Sequence, residues 1–88
     1  MKYDLKYSKA MKKFLKQHKD LAPKIVYALE EIAKNPYSNH LDIKRLQNYE
    51  NHYRLRIAKY RILYEIIEKE ILIYAYDADS RGDIYKKN

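Results

Sequence analysis

The chain has 88 residues, room for a single domain over 1–88 and no second one. A hydrophobic fraction of 47% excludes a disordered chain, and the lack of cysteine excludes a disulfide framework or a thiolate zinc site. The net charge of +7 fits nucleic acid, an anionic membrane or an acidic protein partner, and a solvated lysine-rich surface is the bland alternative.

In chain order, Lys2 to Tyr7 alternates polar side chains with Tyr3, Leu5 and Tyr7, which predicts a short strand. Ser8 is a suitable N-cap for a helix running to about His18, with Met11, Phe14 and Leu15 on its apolar stripe. Lysines 9, 12, 13, 16 and 19 cover the rest of that helix and read as a solvated face. After a turn at 19–22, Pro23 sits in the first turn of a second helix with Ile25, Leu29, Ile32 and Ala33 on its stripe. Asn35-Pro36 stops it. Residues 37–51 are polar and irregular, with a short strand around 43–46. Past a hairpin at 53–64, Glu68-Lys69 is a turn, and Glu70 to Tyr76 is a further strand. No segment is long or apolar enough to span a bilayer, and the charged N-terminus is not a signal peptide, so the expected location is the cytoplasm. The order β-α-α-β-β-β predicts an α+β fold: a twisted antiparallel sheet with an N-terminal helical hairpin on one face.

The hairpin carries the chemistry. With a period of two, Tyr53, Leu55 and Ile57 point one way and Arg54 and Arg56 the other. Tyr60, Ile62 and Tyr64 then share the apolar side, and Arg61 takes the opposite one. If Ala58-Lys59 is a two-residue loop, Ile57 faces Tyr60, Arg56 faces Arg61 and Arg54 faces Leu63. A slip of one residue, or a longer loop, would send the arginines to different faces. In the first register three guanidiniums share one surface, which opposes folding and calls for a bound polyanion, phosphate first.

Other chemistry finds little support. His18, His40 and His52 lack a metal-ligand spacing, one glycine cannot make a phosphate loop, and Asp77 and Asp79 beside Arg81 read as turn-formers. No metal or cofactor is expected.

Three strings stand out: Tyr53-Arg54-Leu55-Arg56, Lys59-Tyr60-Arg61-Ile62-Leu63-Tyr64-Glu65-Ile66 and Arg81-Gly82-Asp83-Ile84-Tyr85. Together with the initial strand and the helical hairpin ending at Asn-Pro, they resemble the RelE/ParE toxin superfamily over nearly the whole chain, leaning to the RelE branch. The resemblance implies a toxin of a type II toxin–antitoxin system, a ribosome-dependent endoribonuclease that cuts mRNA by attack of a ribose 2′-hydroxyl on the adjacent phosphate. Its implied partners are an acidic RelB-like antitoxin and ribosome-bound mRNA, with no membrane. It also implies roles: Arg54 and Arg56, at places often lysine, contact or activate the reacting ribose and phosphate. Arg61 braces the phosphate, Arg81 serves the leaving side, and Tyr85 stacks on or orients the target nucleotide. Lys44 and Arg45 are expected RNA-backbone contacts. Arginine at 56 is a poor general base because it stays protonated, which leaves the proton acceptor open among His52, Glu50 and Tyr85. The competing readings are a ParE-like toxin that poisons DNA gyrase without chemistry of its own, and a basic binding module with drifted catalytic residues.

Overall fold

The computed structural model describes residues 2–37, 40–47 and 49–80. Five strands and two helices follow in the order β1 (Asp4–Tyr7), α1 (Lys9–Gln17), α2 (Ala22–Lys34), β2 (Ile43–Arg45), β3 (His52–Ile57), β4 (Tyr60–Ile67) and β5 (Leu72–Ser80). Arg81 and Tyr85 lie outside the described residues.

Local chemistry explains the helical hairpin. Ser8 caps α1 by accepting the Met11 N–H at 3.0 Å, and its own hydroxyl donates to the Tyr76 carbonyl at 2.7 Å, so one side chain ends the strand and ties the helix to β5. Pro23 occupies the first turn of α2, and Asn35 closes it by donating its N–H to the Glu31 carbonyl. Met11 from α1 and Ile25, Ala28, Leu29, Ile32 and Ala33 from α2 are buried.

These residues meet one face of the sheet. Leu55 on β3, Ile62, Tyr64 and Ile66 on β4, and Ile73 and Ala75 on β5 complete a core with no buried polar or charged residue among those described. Burying side chains of this size contributes about 1.5–3 kcal/mol each. The opposite face of the sheet carries no helix among the described residues and holds the arginines.

The strand order is β1-β5-β4-β3-β2. The four later strands form an antiparallel meander, but β1 pairs with β5 in parallel, Asp4 opposite Leu72 and Tyr7 opposite Ala75. The sheet is therefore mixed, not antiparallel throughout. Parallel neighbours need a long connection, and here everything from α1 to β4 supplies it: the helices carry the chain to the far edge and the meander returns it beside its start. The first strand also begins later than the alternation predicts, because Tyr3 donates its N–H to the Ala33 carbonyl at 2.8 Å before pairing begins at Asp4.

β5 departs from expectation at both ends. A 3₁₀ turn over Glu68–Glu70 and a left-handed Ile71 (φ 50°) delay its start to Leu72. At the other end Asp77 and Asp79 do not form a turn: they extend the strand, opposite Leu63 and Arg61.

Candidate functional site

The hairpin register is the one in which all three arginines share a face. Ile57 stands opposite Tyr60, Arg56 opposite Arg61 and Arg54 opposite Leu63. The two-residue loop is made by Ala58 with φ of 55°, the left-handed position that normally takes glycine.

Lys44 pairs with Arg54 across β2 and β3, which puts a fourth cation on this surface. Arg45 pairs with Tyr53, a residue packed against the core, and therefore points to the other side of the sheet, beside Pro36, Tyr37 and Leu41. Of the two basic residues expected to touch RNA, the fold gathers only Lys44 with the arginines.

The repulsion is partly offset by a carboxylate that the sequence did not bring forward. Asp42, just before β2, is bound by the Arg56 backbone N–H at 2.9 Å, so its side chain is held over β3. Arg56 Nε donates to its Oδ2 at 2.9 Å and Arg54 Nη2 lies 3.8 Å from its Oδ1. Arg61 has no such partner among the described residues: Asp79 is its register neighbour on β5, yet the two form no ion pair. The Nε atoms of Arg54 and Arg61 are buried without a hydrogen-bond acceptor among the described residues. A buried charged donor left unsatisfied is costly, and an oxyanion is the ligand chemistry that fits it.

A second group adjoins the arginines. His52 opens β3, two residues before Arg54 and on the same face, opposite Glu65. Its Nδ1 is 2.9 Å from the Tyr76 hydroxyl, and its Nε2 is 3.8 Å from Glu65 Oε2. Burial first, then the negative charges of Glu65 and Asp77, push the Tyr76 phenol above its ordinary pKa, so it stays protonated. The Tyr49 ring, 61% exposed, lies 5.6 Å from the imidazole.

Tyr76 sits at a bulge. Tyr64 pairs with Ala75 and Leu63 with Asp77, so Tyr76 is the extra residue on β5. Sequence reasoning missed both the bulge and Tyr76, although one signal exists: the core positions on β5 run Ile73, Ala75 and then Ala78, so the period of two breaks at 76–77.

With this geometry established, comparison with known proteins places the chain in a family. A family model described as the ParE toxin of the type II toxin–antitoxin system parDE matches residues 5–81. The chain belongs to the RelE/ParE toxin superfamily. Within it, the RelE side is the nearer: RelE1 of Methanocaldococcus jannaschii is 34% identical over 80 residues, which is 85% of this chain and 89% of the relative. The RelE of the Methanococcus jannaschii RelB–RelE complex superposes with a TM-score of 0.72 at 29% identity, over 93% of this chain and 96% of that one. The archaeal RelE–RelB complex of Pyrococcus horikoshii reaches 0.79 at 23% identity, over 93% and 98% of the two chains. Isolated Escherichia coli RelE reaches 0.74 at 18% identity, over 97% and 93%, a likeness of fold. The α+β architecture is thus the RelE fold, and the chain is a RelE-like toxin of the type II class.

Proposed function

We propose that this toxin is a ribosome-dependent endoribonuclease that cuts mRNA by attack of a ribose 2′-hydroxyl on the neighbouring phosphate. The observation that carries the reading is the convergence of Arg54, Arg56, Arg61 and Lys44 on one open sheet face, with two buried guanidinium Nε atoms lacking acceptors. Such a cluster suits the extra negative charge of a phosphorane, where fixed donors act most strongly in the transition state. Arg61, free of a carboxylate partner among the described residues, is assigned to the phosphate. Arg54 and Arg56 hold the ribose and flanking phosphate once Asp42 is displaced or shared. Arg81 is assigned to the leaving oxygen and Tyr85 to the target base, which aromatic rings hold by stacking.

Among the described residues the open face has no wall to bend a substrate, so the ribosome supplies the in-line geometry. The proposed second partner is a RelB-like antitoxin of acidic character, as the RelE chains of Pyrococcus horikoshii and Methanococcus jannaschii are found in complexes with RelB. Purified toxin is expected to cut mRNA on programmed ribosomes and to leave free RNA largely intact. Equal cutting of both substrates would remove the ribosome from the account. The match to the ParE family model favours a second reading, gyrase poisoning; inhibition of gyrase with no cutting of either RNA would establish that reading instead.

A further inference from the structure

Among the described residues the arginine face stabilises charge, but its guanidiniums do not deprotonate at accessible pH, and the carboxylate set among them, Asp42, is engaged by Arg54 and Arg56. The row beside it holds a base. From the outer face of the sheet, we infer that Tyr76, His52 and Glu65 form a proton relay in which the Tyr76 hydroxyl is the general base for the ribose. The inference rests on the ribonuclease reading and names the residue that reading lacks.

Three observations support it. First, the three groups are in line: the Tyr76 hydroxyl is hydrogen-bonded to His52 Nδ1 at 2.9 Å, and Glu65 Oε2 lies 3.8 Å from Nε2, an ion-pair separation longer than a hydrogen bond. A carboxylate beside Nε2 favours the neutral tautomer protonated there, which leaves Nδ1 to accept from Tyr76. This is the general logic of a hydroxyl, a base and a third group that orients the base. Second, the three residues come from three strands, with Tyr76 at the bulge on β5, so the grouping is not a product of neighbours in sequence. Bulges are over-represented beside functional sites. Third, the relay is next to the charge cluster. Arg54 follows His52 by two residues on the same face, about 7 Å along the strand, close to the separation of successive phosphates and riboses. Among the described residues, the groups in contact with the His52 ring are Glu65 from β4, Tyr76 from β5 and Tyr49 from the preceding loop, and none of them is a cation.

The 2′-hydroxyl proton passes to Tyr76 Oη as the tyrosine's own proton passes to His52 Nδ1, giving an imidazolium held by Glu65. The 2′-oxygen forms its bond to phosphorus, the bond from phosphorus to the 5′-oxygen breaks, and the departing oxygen takes a proton from water. The hydroxide left behind removes the extra proton from His52. The products are a 2′,3′-cyclic phosphate and a 5′-hydroxyl. Tyr76 is the catalytic residue, His52 the acceptor behind it, and Glu65 a positioning residue.

The test is single-turnover cleavage of mRNA on programmed ribosomes by wild type, Tyr76→Phe and His52→Ala, with KM and thermal midpoint measured for each. Tyr76→Phe keeps the ring and its packing, and is expected to lower the cleavage rate about a hundredfold, the lower end for general base catalysis, with KM within about twofold. His52→Ala is expected to lose a similar factor and to recover on addition of free imidazole, which Tyr76→Phe does not. A Tyr76→Phe rate within about threefold of wild type, or a loss carried by KM alone, overturns the relay. A wild-type protein that cuts nothing overturns the ribonuclease reading itself, an outcome recognisable before any variant is made.

Discussion

Asp42 sets the resting state of the arginine face. Its carboxylate takes Arg56 Nε at 2.9 Å and draws Arg54 to 3.8 Å, in the position a substrate phosphate would contest. Arg54 is 16% exposed and Asp42 49% exposed, so the carboxylate is the member of the pair with access to water. Removing it lowers competition for the guanidiniums without opening the core. Asp42→Asn is therefore expected to bind single-stranded RNA several-fold more tightly at low salt, with a steeper salt dependence, measured by fluorescence titration at two ionic strengths. Unchanged affinity would show that the carboxylate does not compete with phosphate. The three arginines were legible from alternation alone, since strand periodicity assigns faces without any knowledge of tertiary contacts. Asp42 was not: its importance depends on the Arg56 N–H reaching back 14 residues to its carbonyl, a contact that no local pattern announces. Arg45 was grouped with Lys44 because they are adjacent in sequence, yet adjacency in a strand is what separates them.

At the scale of elements, the helices and the hairpin followed their local signals closely. Ser8 caps, Pro23 opens, Asn35 closes, and the register Arg56 opposite Arg61 follows once the loop has two residues. What local signals did not carry was β1 beside β5 in parallel, because nothing in either strand encodes the partner's direction. They also missed the run of β5 to Ser80, where Asp77 and Asp79 look like turn residues but face the open side of the sheet. The loop itself is a weak point: Ala58 holds φ of 55°, a left-handed conformation that costs an L-residue about 1–2 kcal/mol. Glycine relieves that strain but loses about 0.4–1 kcal/mol through the freer unfolded chain. Ala58→Gly is accordingly expected to raise stability by under about 1 kcal/mol, read as a small rise in denaturation midpoint, with cleavage unchanged. A clear fall in the midpoint would contradict this account of the turn.

For the whole molecule, the core and the proposed site lie on opposite faces of one sheet, the core beneath the helices and the cations above. The edge of the assembly is fastened by Glu68, which accepts from the Tyr37 hydroxyl and, at 2.7 Å, from the Tyr3 hydroxyl. Those hydrogen bonds hold its carboxyl below the usual range, Tyr37 contributing most and Tyr3 next. A carboxylate with a lowered folded-state pKa contributes stability above its unfolded pKa and loses it as pH falls through the folded value. The thermal midpoint of Glu68→Gln is therefore expected to lie below that of wild type near neutrality and to converge with it on acidification; a pH-independent gap would contradict the linkage. The proposed function is tested on the other face. The most direct measurement is the single-turnover rate of mRNA cleavage on programmed ribosomes by Arg61→Ala, compared with Lys16→Ala on the exposed face of α1 as the control for bulk charge. The arginine-face account predicts a loss on the order of a hundredfold or more for Arg61→Ala and a near wild-type rate for Lys16→Ala. Comparable rates for the two variants, with Arg61→Ala still folded by circular dichroism, would contradict it.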